Sequence, residues 1–212
     1  MSCSSIWLVD NDYIGCEEYT FQDSWLFSPV IWMVLSDKYL PRDCFGNIQN
    51  LIFRGQRVWS EINSIMNSSD ADYERICWEL TNQNIFFTKD KKIISDSIRK
   101  FLATNTDYYK GKNDDVGVLK LEHIIKHWNE IIDCIENIDE KKYPYFIFKN
   151  TSADDSVETL FCDYNYDTDT KIHKSLFDNE FDNASQPEFI IIENGKIVDF
   201  VDCSSYKERL TI

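Results

Sequence analysis

The chain has 212 residues, 43% hydrophobic and 15% aromatic, which excludes a disordered acidic tail and supplies enough apolar surface for a core. Its formal net charge is −15, and the excess lies at the two ends: residues 1–37 hold six acids and no base, residues 38–149 balance 17 acids with 17 bases, and residues 150–202 hold 13 acids against three lysines. Such a field repels nucleic acid and anionic membranes and attracts cationic proteins.

In chain order, "SIWLV" followed by "DND" reads as an opening strand and turn. "SPVIWMVLSDKYLP" predicts a short helix with Ser28 as N-cap and Pro29 in its first turn. Ile48, Leu51, Ile52, Gly55, Val58, Trp59, Ile62, Ile65 and Met66 follow helical spacing. "SSDADYERICWEL" predicts a further helix capped by Ser69 or Asp70. "TKDKKIISDSIRKFL" reads as another, although "NIFFTKDKKII" also fits a hairpin. The strongest helix carries Leu121, Ile124, Ile125, Trp128, Ile131, Ile132, Ile135 and Ile138 on one stripe.

Beyond it the period changes from helical to alternating. "YPYFIFK", "VETLFCDYNY", "EFIII" and "KIVDFVD" are β-branched and aromatic runs, and the last two flank Asn194-Gly195, a type I′ hairpin signal. The expectation is one α+β domain over 1–212, helix-rich over 28–140 and strand-rich over 143–212, its C-terminal sheet antiparallel.

Chemistry-bearing motifs are sparse. The seven cysteines are scattered without a CxxC pair, no leader pattern opens the chain, and the longest apolar run, "PVIWMVL", is far short of a bilayer span. Reduced thiols in a cytoplasmic protein are expected, with no membrane partner. His123, His127, Glu130 and Cys134 share a helical line, but they fall away from the apolar stripe, where no second element would complete a zinc shell. No GxGxxG, Walker A or GxSxG motif is present, so the chain reads as no enzyme, without cofactor, metal or catalytic residue.

The stretch "DYNYDTDT" places Asp163, Asn165, Asp167 and Asp169 at alternate positions. It fails as an EF-hand, because Thr168 stands where the loop needs glycine and Lys174 where it needs a bidentate glutamate. Along a strand, alternate residues lie about 6.6–6.8 Å apart, so the row is a set of anions that runs out into a loop after Tyr166. Asp154, Asp155, Asp163, Tyr164, Tyr166, Asp167 and Asp169 are therefore the candidate partner-binding residues: aromatic anchors within charge that steers encounter.

In this acidic character and in the aromatic-rich N-terminal "IWLVDNDYIGCEEYTFQDSWLFSP", the chain resembles an immunity protein of a bacterial polymorphic-toxin or contact-dependent growth inhibition system. The resemblance carries over no residue assignments. It implies a protein, monomeric or dimeric when free, that binds a cognate toxin and occludes its active site. That toxin would be a basic nuclease. Two other classes use the same carboxylates: a DNA-mimic or anti-restriction inhibitor, and a metal-dependent hydrolase.

Overall fold

Strand pairing in the molecule is organised by one segment buried along its whole length, β4 (Tyr145–Lys149). In this computed structural model, residues 2–40, 55–106, 121–154, 156–165, 167–179 and 186–210 are described, the side chains of 55–58 excepted. β4 lies antiparallel between β1 (Cys3–Val9) and β3 (Ile85–Phe87). β1 pairs outward with β2 (Gly15–Gln22), and β3 pairs in parallel with β7 (Glu188–Glu193), which pairs with β8 (Lys196–Asp202). The order β2-β1-β4-β3-β7-β8 makes a six-stranded mixed sheet. The α+β class holds. The antiparallel C-terminal sheet is corrected in two respects: β3–β7 is parallel, and β1 and β2 come from the N-terminus. The reason is long-range pairing: β4 pairs over five residues with β1, far away in sequence, and the long crossover between β3 and β7 lets them run parallel.

Alternation along the strands explains why they read as continuous apolar runs. Ile6, Leu8, Phe86, Phe146, Phe148 and Ile190 belong to one core cluster. Trp7, Val9, Ile85, Tyr145, Ile147 and Phe189 belong to the other, so successive side chains enter opposite faces and both are covered. The first face packs under α1 (Ser28–Tyr39), α2 (Gly55–Asn67), α3 (Asp72–Thr81), α4 (Lys91–Thr104) and α5 (Leu121–Asn137). The second face has a thinner cover, including α6 (Ser156–Phe161) and α7 (Cys203–Leu210).

Local chemistry departs from the sequence expectations at several ends. Ser28 does not cap α1; Phe27 holds that position, and the Ser28 hydroxyl donates to Asn150 Oδ1 at 2.6 Å, tying the helix to the end of β4. Ala71 caps α3, with its N–H donating to Ser69 Oγ at 3.1 Å. The predicted positions Ile48, Leu51 and Ile52 lie outside the described residues. "NIFFTKDKKII" divides into β3 and the start of α4, with a 3₁₀ turn at Thr88–Asp90 between them. "VETLFCDYNY" likewise divides into helix α6 and the short strand β5 (Cys162–Asn165). Asn194 and Gly195 have φ of 52° and 80°, the left-handed pair a type I′ turn requires.

Fully buried charge is matched where it crosses between helices. Glu74 accepts from Lys38 Nζ and Tyr39 OH, each at 2.6 Å, and from Tyr73 OH at 3.0 Å. Three charge-assisted bonds offset the desolvation of one carboxylate.

Gly15 begins β2 against the ring of Phe161, the last residue of α6, and Phe161 also stacks on Trp7 at 5.7 Å. A Cβ at position 15 would lie 2.5 Å from the Phe161 ring. Gly15→Ala should therefore destabilise the protein by about 1–3 kcal/mol, read as a lower urea midpoint at unchanged m-value. An unchanged midpoint would show that Phe161 yields without cost.

Candidate functional site

Beyond Phe161 the chain leaves the main sheet and forms a separate two-stranded hairpin, β5 paired with β6 (Thr170–His173). Its root is fixed from both sides. Lys174 N–H donates to Phe161 O at 2.9 Å, and Leu176 N–H donates to Tyr13 O at 2.8 Å. Asn179 Nδ2 reaches Leu160 O at 2.7 Å and Leu176 O at 2.8 Å. Only Cys162, nearest the core, is buried; Asp163, Tyr164 and all four residues of β6 are exposed. The hairpin thus presents two wet faces, an arrangement its sequence pattern does not reveal.

Cross-strand register sets what each face shows. Asp163 opposes Ile172, and Tyr164 opposes Lys171. Tyr164 and Ile172, each 49% exposed, are large apolar side chains in water. The connecting turn is organised by Asn165, whose Oδ1 accepts the N–H of Asp167 at 3.0 Å and of Thr168 at 3.3 Å. Asp169 adopts φ of 54° and accepts a hydrogen bond from Tyr164 OH, which raises the phenol's pKa.

Of the predicted binding residues, Asp163, Tyr164, Asp167 and Asp169 come together on this hairpin. Asp155 and Tyr166 lie outside the described residues. Asp154 does not join the row: it accepts from Ser156 N–H at 2.9 Å and Gln83 Nε2 at 3.3 Å and lines a separate cleft. Burial opposes its ionisation, but these bonds outweigh burial and hold its pKa below the ordinary value. The row is also less bare than its sequence suggests. Lys174 pairs with Asp163 at 2.8 Å, and Lys171 pairs with Glu158, lowering the glutamate's pKa.

The structure adds acids that sequence reasoning left out of the site. Ser175, just after β6, bridges to Ile14, and its hydroxyl donates to Asp12 O at 3.1 Å. Glu17, exposed on β2, helps raise the pKa of Lys171, after the Glu158 hydrogen bond and the Cys162 and Glu158 charges. The two acidic ends of the chain therefore meet beside the hairpin. The regional charge distribution was the signal, and only strand pairing could place the two ends side by side.

The histidine line on α5 is corrected. His127 is buried with Nε2 unbonded and its ring edge-on to Phe21 at 6.1 Å, whereas Ile125, expected in the core, is exposed. β2 and the turn after it pack on this flank and shift the buried face. Among the described residues, no three His, Cys, Asp or Glu side chains gather closely enough to hold a metal ion. Cys162 and Cys203 are free, buried thiols, and burial pushes Cys203 up to about 12. No described helix is long and apolar enough to cross a membrane. Compared with family models, curated proteins and solved structures, the chain matches none.

Burial lowers the pKa of His127 against the opposing fields of Glu130 and Asp23. A folded pKa below the unfolded value means that the neutral imidazole is favoured in the fold. Its contribution is complete above about pH 6.5 and is lost as pH falls through the lowered folded value. Between pH 7 and 5, wild type should lose more stability than His127→Phe in urea titrations. Parallel pH profiles would show that His127 protonates freely in the folded state.

Proposed function

We propose that this protein is a cytoplasmic immunity protein that binds a cationic toxin domain, with a nuclease as the fitting class, and occludes its active site. The observation that carries this reading is the exposed β5–β6 hairpin, which sets Tyr164 beside Asp169 on one face and Ile172 beside Asp163 on the other, both in water. Apolar anchors within a charged rim are the anatomy of a protein interface. Glu17 of β2 extends the negative field beside it. Lys174 neutralises Asp163 of the carboxylate row and Lys171 stands on the adjacent strand, which suits a protein surface better than imitation of a uniform phosphate backbone. The mechanism is steric and electrostatic, with no chemical step.

Charge and contact then have separable roles. Opposite fields steer association toward about 10⁸–10⁹ M⁻¹s⁻¹ at low salt, while buried aromatic contacts set dissociation. With the product of the neighbouring gene as the partner tested, Asp163→Asn/Asp167→Asn/Asp169→Asn should slow association several-fold at low ionic strength and flatten its salt dependence. Tyr164→Ala should instead speed dissociation, costing on the order of 2 kcal/mol. Rates and salt slopes identical to wild type in both variants, or no complex with the neighbouring gene product, would sink the assignment.

A further inference from the structure

A cleft of about 810 Å³ lies at the end of α3, between the Asn82-Gln83-Asn84 turn, α2 and the β7–β8 pair. Glu79, Asp154 and Glu188 line it, and its described lining contains no lysine, arginine or histidine. Glu79 is only 2% exposed. Its Oε2 accepts from Asn82 Nδ2 at 2.9 Å and Asn84 Nδ2 at 2.8 Å, whereas its Oε1 is buried without a partner. Gln186 Oε1, in the same lining, is also buried and unbonded.

The surrounding amides are committed to a fixed frame. Asn82 Oδ1 accepts Trp59 Nε1–H and Asn63 Oδ1 accepts Trp78 Nε1–H, both at 2.9 Å. Asn84 Oδ1 accepts the Glu188 backbone N–H, also at 2.9 Å. Unmet acceptors in a rigid polar wall require donors, and three carboxylates require positive charge. The nearby cations lie outside the lining, and only their fields reach its carboxylates, Arg75 at Glu79 and Lys149 at Asp154. Arg75 donates to Ile197 O at 3.2 Å and Asn67 Oδ1 at 3.4 Å and covers the Phe200 ring at 5.0 Å, leaving Nε unbonded. Lys149, whose field reaches Asp154, pairs with Glu158 at 3.7 Å. Asp199 and Asp202 add to the negative field at Glu188.

We propose that this cleft binds a guanidinium group, carried by a small guanidino compound or by an arginine side chain. A guanidinium spreads five donors over a plane, which suits acceptors separated around a wall, and it desolvates more readily than an ammonium. The indole of Trp59 in the lining suits the same flat cation, whereas the Phe200 ring is already covered by Arg75. The site does not depend on the hairpin, with which it shares no described residue.

The full chain is titrated calorimetrically with agmatine, with cadaverine as the ammonium control, and with capped Gly-Arg-Gly and Gly-Lys-Gly. Agmatine or the arginine peptide should bind saturably, at least tenfold more tightly than its ammonium counterpart. Agmatine binding tighter than the peptide identifies a free small ligand; the reverse identifies a protein side chain. Glu79→Gln and Glu188→Gln should each weaken binding at least tenfold. The second variant preserves the Asn84 bond, which uses the backbone, and so serves if Glu79→Gln fails to fold. Burial, against the bonds from Asn82 and Asn84, lifts the Glu79 pKa to about 6, and the Arg75 field lowers it while that of Glu188 raises it. Affinity should therefore fall as pH drops below about 6. Saturable binding by neither guanidinium probe, or binding indifferent to both substitutions, would overturn the proposal and leave the orphaned oxygens to buried water.

Discussion

Burial of β4 on both faces is the constraint from which the rest of the architecture follows. A strand reading Tyr-Phe-Ile-Phe-Lys cannot leave either face in water without exposing aromatic rings, so apolar cover is required above and below it. The thick layer of five helices meets that need on one side. On the other side, single inserted side chains meet it, with Phe161 and Val157 from α6 and Leu176 beyond the hairpin. A thin cover has ends that run off the sheet. The β5–β6 hairpin is such an overhang, rooted by Phe161 but owing little of its own area to the core.

That division separates the packed face from the exposed one. The helical face places Trp128 Nε1 on Leu26 O at 2.7 Å and packs Phe27 between Trp128 and Phe148, so its polar groups serve the core. The overhanging hairpin places carboxylates, a phenol and an isoleucine where they meet solvent. The bridge between Ile14, just before β2, and Ser175, just after β6, brings the N-terminal acid Glu17 within range of Lys171 on the hairpin. Self-repulsion of like charges opposes compactness, and here it is relieved locally by Lys171 and Lys174.

Buried polar groups fall into two kinds. Glu74 meets three donors and acts as a structural clasp between α1 and α3. Glu79, one and a half turns later on the same helix, keeps one oxygen unmet, and so does His127 on α5 at one nitrogen. The difference lies in the surroundings. Glu74 sits under the side chains of α1, whereas Glu79 and His127 each border open volume. Unmet groups beside cavities are where a fold has capacity left for ligands or for protons.

The α+β class, the α1, α3, α4 and α5 helices, the Asn194-Gly195 turn and the acid surplus at both ends were legible before any fold was known. Each is written in local signals: apolar spacing, residues tolerant of positive φ, and charge counts. Of the candidate site, the carboxylates and Tyr164 were legible for the same reason. Tertiary structure alone decided that β1 joins β4, that three residues at Ile85–Phe87 form a strand, and that β3 runs parallel to β7, because long-range pairing leaves no local pattern. It also decided that His127 turns inward while Ile125 faces water, that Lys174 answers Asp163, and that Asp154 belongs to a cleft instead of the hairpin. Those outcomes depend on which distant surfaces meet, and burial is a property of the contact, not of the residue.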